Sequence, residues 1–222
     1  MATRGYGQYC GLARAAELVG ERWALLILRD LLVGERRFTD LVRSLPGIPT
    51  NVLTERLKEL EVAGVVRRRV LDRPARGIAY ELTPYGRELE DAIVRLGCWG
   101  AKTLGDPRPG ETVTAESLVM ALRSTFQRDA ARGVRASYEM RFGDIVLHAR
   151  VDDGTLEANV GPLPSAGLVI EAGPAIKAIM ARELSPRDAI ANGTVKLTGD
   201  PKLLDLFADL FRIAPLPATQ SA

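Results

Sequence analysis

The spacing of apolar positions changes character along this chain and sets its elements. Leu12, Ala15, Ala16 and Val19 recur at helical spacing, predicting a helix over 10–19. Trp23, Leu25, Leu26, Ile27 and Leu28, continued by Leu31 and Leu32, make a second helix over 22–33 that is apolar on most sides, as a centrally packed helix is. Gly34 stops it. Phe38 to Leu45 is a short third helix, kept from running on by Pro46, Gly47 and Pro49. Thr50 is expected to cap a fourth helix, with Leu53, Leu57 and Leu60 inward and Asn51, Thr54, Glu55 and Lys58 outward. Gly64 ends it. Residues 65–71 and 78–82 favour strands, joined by Asp72-Arg-Pro-Ala-Arg-Gly77. Thr83 and Pro84 open a helix predicted to reach Leu104, with Leu89, Ile93, Leu96 and Trp99 as an apolar stripe. That length exceeds what so small a domain needs, so the stripe is expected to be a dimer seam.

After Gly105-Asp-Pro-Arg-Pro-Gly110 the rhythm is different. An amphipathic helix over 115–131 is followed by strands over 134–142, 144–151 and 155–160, with Gly143-Asp144 and Asp152-Asp-Gly154 as turns. A fourth strand over 167–171, a helix over 174–183, a short helix capped by Ser185, a fifth strand over 194–197 and a Leu/Phe-rich helix over 200–213 complete the pattern. The fold class is α+β: a winged helix-turn-helix domain over 1–105, a linker over 106–110, a small α+β domain over 111–214 and a tail over 215–222.

Charge supports the division. Residues 1–110 hold 18 Lys and Arg against 14 Asp and Glu, and the remainder 12 against 14, so the first half suits an anionic partner. Arg67, Arg68, Arg69, Arg73 and Arg76 crowd the hairpin. On a strand at most two of Arg67–Arg69 share a face, and one is expected to pair with an acid. Two lone cysteines, Cys10 and Cys98, suit a reducing cytoplasm rather than a disulfide framework. One histidine supplies no metal cluster, His148 has no nucleophile at useful spacing, and Asp152 and Asp153 suit a turn. No catalytic residue, metal or cofactor is assigned, and no membrane span is expected.

Cys10, Gly20-Glu-Arg-Trp23, Arg37-Phe-Thr-Asp-Leu41, Leu53-Thr-Glu-Arg-Leu-Lys-Glu-Leu-Glu61 before Gly64, and Tyr80-Glu-Leu-Thr-Pro-Tyr-Gly86 with Trp99 carry a resemblance. Over about residues 6–104 the chain resembles the HxlR-type winged-helix transcription regulators, relatives of the MarR group. The resemblance implies a homodimer on a pseudo-palindromic double-stranded DNA operator, more often repressing than activating. Its DNA-contacting residues are then Arg37, Thr50, Asn51, Thr54, Glu55, Lys58, Arg73 and Arg76. Cys10 is a redox candidate, because several such regulators sense oxidants through a cysteine there, with Arg14 nearby. The second half, through its α-β-β-β order and Ala189-Ile-Ala-Asn-Gly-Thr-Val-Lys-Leu-Thr-Gly-Asp200 before the last helix, resembles sterol carrier protein-like domains. That implies a hydrophobic small-molecule effector site among Phe142, Val146, Ile170, Ile179, Met180, Phe207 and Phe211, residues that are core first. The expected protein is a cytoplasmic regulator, not an enzyme; the alternatives are a lipid carrier or a thiol-based sensor.

Overall fold

The computed structural model describes residues 5–72, 76–105 and 107–215. Packing divides the chain into two units, residues 1–93 and 94–222.

The first unit contains α1 (Gly11–Val19), α2 (Ala24–Val33), β1 (Arg36–Arg37), α3 (Phe38–Ser44), α4 (Thr50–Val62), β2 (Val66–Leu71), β3 (Gly77–Leu82) and α5 (Pro84–Arg87). Its antiparallel sheet has the order β1-β3-β2, so β3 is central. Ile27, Leu28 and Leu31 of α2 are buried with Leu41, Leu53, Leu57, Leu60 and Leu82. β1 was not anticipated: two consecutive arginines carry no strand pattern, and Arg36 and Arg37 become extended by pairing with Tyr80 and Ala79.

Two features fix α3 and α4. Ser44 Oγ donates to Oδ2 of Asp30 at 2.6 Å, and Arg29 Nε donates to Oδ1 at 2.8 Å. Asp30 is fully buried, where a carboxylate needs donors of this kind. Ser44→Ala is expected to lower stability by about 1.5–3 kcal/mol, the cost of losing a hydrogen bond to a buried charge, read from the urea midpoint. Gly47, at φ +83, makes the turn between α3 and α4, a conformation that a side chain resists. Thr50 does not cap α4: extended Pro49 holds the cap position and Thr50 is the first helical residue. A proline there presets the extended turn into the helix and displaces the start by one residue.

The helix predicted over 83–104 is divided into α5 and α6 (Glu90–Ala101). Around the division, Glu88 and Leu89 donate to the carbonyls three residues back, a tighter turn than the α-helix. Thr83 caps as expected, its hydroxyl accepting from Gly86 N at 3.0 Å. A Cβ at Gly86 would stand 2.1 Å from the Val65 carbonyl oxygen, so only glycine admits that close approach.

The second unit continues with α7 (Ala115–Thr125), β4 (Arg135–Phe142), β5 (Ile145–Asp152), β6 (Thr155–Val160), β7 (Leu168–Ala172), α8 (Ala175–Met180), α9 (Pro186–Ala191), β8 (Val195–Gly199) and α10 (Lys202–Leu210). The sheet order is β6-β5-β4-β7-β8, antiparallel except for the β4–β7 pair. α7 stops at Thr125, short of the predicted 131. Phe126 swings into a bridge with Phe211, and Gln127 N donates to Leu210 O at 2.8 Å. Tyr138 and Met140 of β4, Leu147 and Ala149 of β5 and Leu168 and Ile170 of β7 are buried on one face of this sheet. The other face carries Glu139, Arg141, His148, Arg150, Glu157 and Glu171.

Candidate nucleic-acid interface

α4 is amphipathic by spacing, and its packing follows that spacing. Leu53, Leu57 and Leu60 are at most 1% exposed, which leaves Thr50, Asn51, Thr54, Glu55 and Lys58 on the exposed side. The buried leucines hold the helix by one face, so the polar face is presented on a rigid support. Thr54 Oγ1 donates to the Thr50 carbonyl at 2.8 Å, leaving the hydroxyl oxygen as an acceptor. Glu55 lies 3.8 Å from Arg56, which also faces Glu21 and Glu59. Among the described residues Asn51 makes no side-chain hydrogen bond and Lys58 no ion pair.

The wing arginines separate into two groups. Arg67 Nε donates to Glu81 at 2.7 Å, Arg68 reaches Glu61 at 3.2 Å and lies over the Tyr80 ring, and Arg69 Nη1 donates to Glu35 at 3.0 Å. All three carry an acid from outside β2, beyond the one pairing expected. Such exposed pairs add little stability, but each acid cancels a charge that a phosphate would otherwise meet. Arg76 is exposed and has no ion pair among the described residues. Arg37 is half-buried, with its guanidinium against Gly77 at the start of β3. Arg73 lies outside the described residues. The first unit therefore places Arg37 beside the start of β3, one residue after Arg76, while Arg67–Arg69 form a self-neutralised strip.

One feature was missed in the sequence. Glu21, Arg22, Trp23, Gly47, Pro49, Val52 and Arg56 line an open cleft of about 340 Å³ beside α4. Trp23 adopts φ +79, unusual for a bulky residue, and the Arg22 guanidinium lies 5.5 Å from its ring centre. Read for hydrophobicity alone, Trp23 is only a core residue at the start of α2.

Cys10 is exposed at the start of α1. The backbone N–H groups of Ala13 and Leu12 at that helix terminus hold its thiol below the ordinary range, which favours thiolate. Arg14, expected to assist, is held by Glu17 at 2.6 Å instead. α1 and α6 contain no buried residue; Leu12 is 79% exposed, Leu96 48% and Trp99 70%. Cys98 is half-buried.

In the second unit, Ile170, Ile179, Met180, Phe207 and Phe211 are buried, and the rings of Phe207 and Phe211 lie 4.6 Å apart. Phe142 is half-buried. Val146 corrects the expected set: it pairs with Arg141, which puts it on the sheet face opposite to Phe142. Successive strand residues face opposite ways, so apolar character did not determine its side. His148 Nδ1 lies 2.9 Å from the Gly161 carbonyl. On the same face, Glu139 accepts from Leu163 N at 2.8 Å and pairs with Arg141, and these hold its carboxyl below the usual range. Asp152 accepts from Arg135, and Asp153 sits in a turn at φ +43, accepting from Gly133 N. Among the described residues there is no cluster of metal-ligating side chains and no helix long and apolar enough to cross a membrane.

Residues 18–107 match the model of the HxlR-like helix-turn-helix family. The uncharacterized HTH-type transcriptional regulator sll1512 of Synechocystis sp. is 34% identical over 98 residues, 44% of this chain and 73% of that one. The uncharacterized HTH-type transcriptional regulator Rv3095 of Mycobacterium tuberculosis is 47% identical over 98 residues, 44% of this chain but only 60% of its own length. The solved structure of the redox regulator HypR in its reduced form is similar at 30% identity, covering 41% of this chain and 90% of that chain, with a TM-score of 0.39.

Proposed function

The chain belongs to the HxlR-like helix-turn-helix family, and from that premise we propose that it is a homodimeric DNA-binding transcription regulator, acting as a repressor, whose second unit takes an apolar effector. The observation that carries the reading is α4: three buried leucines behind an exposed face of Asn51, Thr54, Glu55 and Lys58. An amide and an ammonium on an anchored helix suit base edges and phosphates in a major groove. Arg37, Arg73 and Arg76 follow the backbone, where contacts set position rather than sequence. The α6 face with Leu96 and Trp99 meets its copy, and the dimer sets two α4 helices about one DNA turn, roughly 34 Å, apart on a pseudo-palindromic operator.

The effector reading is supported by the resemblance of the second half to sterol carrier protein-like domains and by an aromatic cluster in which Tyr138, Phe207 and Phe211 are buried and Phe126 half-buried. An effector shifts the spacing of the α4 pair only by the difference in its affinity for two states. The test is fluorescence anisotropy with duplexes tiling the promoter of the protein's own gene. Wild type is expected to select one segment, and Asn51→Ala to relax its preference at particular base pairs by about 1–3 kcal/mol each. A protein that binds apolar ligands but discriminates among no duplexes is a carrier, and the proposal falls.

A further inference from the structure

Tyr138 is fully buried at the centre of the second unit's sheet, on β4, where it faces the helices. Its hydroxyl has no hydrogen-bond partner among the described residues. The ring centres of Phe207 and Phe211 lie 5.3 and 6.4 Å from that of Tyr138, both in edge-to-face arrangements, while its strand neighbours in register are Ala149 and Leu168. Buried polar groups in native folds are almost always satisfied, so an orphan hydroxyl of this kind needs a cause. A phenylalanine would fill the same space without the desolvation cost. Resting on the reading of the second unit as an effector domain, we propose that the Tyr138 hydroxyl is the polar anchor of a site for a neutral, largely apolar molecule with one carbonyl or hydroxyl oxygen.

Three observations define the ligand class. Burial pushes the phenol well above its ordinary range, so it stays protonated and offers a donor. A lone water is a poor occupant: it needs two to four polar partners, and the neighbours named are rings and aliphatic groups. A ligand that brings its own apolar body satisfies the hydroxyl and presents no second polar group to the surrounding rings. The ligand is neutral because the charged residues of this sheet lie on its other face or at its ends, leaving a buried anion uncompensated. Entry is cheapest through α8 and α9, helices of six residues each that pack with α10, since helices this short have little stability of their own.

The test uses the full chain, its Tyr138→Phe variant and prodan, a neutral naphthyl ketone whose emission reports its surroundings. Wild type is expected to bind prodan saturably, one per chain, with a blue shift. Tyr138→Phe should keep its circular dichroism and melt about 2–4 °C higher without ligand, because an unpaired buried hydroxyl is gone. It should bind prodan about tenfold more weakly, the equivalent of one hydrogen bond. Equal prodan affinity in the variant removes the anchor and leaves the effector reading standing. Failure of wild type to bind prodan removes both. A variant that melts lower than wild type shows a structural partner for the hydroxyl in solution and also overturns the proposal.

Discussion

Trp99→Glu is expected to lower affinity for a two-half-site duplex by about 10²–10⁴-fold while the isolated chain keeps its fold. Trp99 is 70% exposed, and α6 buries none of its residues, so the chain by itself loses little when this ring goes. The cost falls on assembly. Across a two-fold axis a glutamate on α6 meets its own copy, and two carboxylates without partners lose their water. Separated protomers must then engage each half-site independently, which forfeits the effective concentration that joins them. Light scattering reports the oligomer and anisotropy the affinity, with Leu96→Ala as a milder step in the same direction. A variant that stays dimeric and binds as wild type does moves the seam away from α6.

How far the sequence could be read depended on the range over which each interaction acts. α4 was legible because Leu53, Leu57 and Leu60 repeat on one face, and a helix responds to its own spacing. The Thr83 and Ser185 caps were legible because capping depends on groups three residues away. Interactions between distant segments were not. β1 exists only through β3, and α7 ends where Phe126 finds Phe211 near the end of the chain. Nothing in Arg67-Arg-Arg69 tells which acids will reach those arginines, and Glu35, Glu61 and Glu81 come from three separate places.

The second unit's candidate residues show a different limit. Along β5 the buried row is Leu147, Ala149 and Val151, and Val146 stands in the alternate row with His148 and Arg150. The alternation is present in the sequence, but apolar character alone does not assign Val146 to a face. Tyr138 presents the converse case. An inward tyrosine between apolar neighbours reads as core, and only the fold shows that its hydroxyl has no hydrogen-bond partner among the described residues.

Replacing Arg73 and Arg76 together with alanine is expected to flatten the salt dependence of DNA binding by about four units of log–log slope per dimer. Each phosphate neutralised contributes about 0.9 to that slope, and two arginines in each of two protomers make four such contacts. Affinity should fall for specific and unrelated duplexes alike, because backbone contacts carry no sequence information. The ion pairs of β2 supply the contrast. Arg67→Ala and Arg69→Ala remove cations already matched by Glu81 and Glu35, so each should leave the slope nearly unchanged. Glu81→Gln should act oppositely: it releases Arg67 and weakens the second hold on Arg69, and a freed guanidinium near DNA steepens the slope. Measured together, the four variants separate charge that is present from charge that is available. If the Arg73/Arg76 double variant keeps the wild-type slope, the hairpin tip contributes no phosphate contact, and backbone binding rests on Lys58, Arg37 and the start of α4.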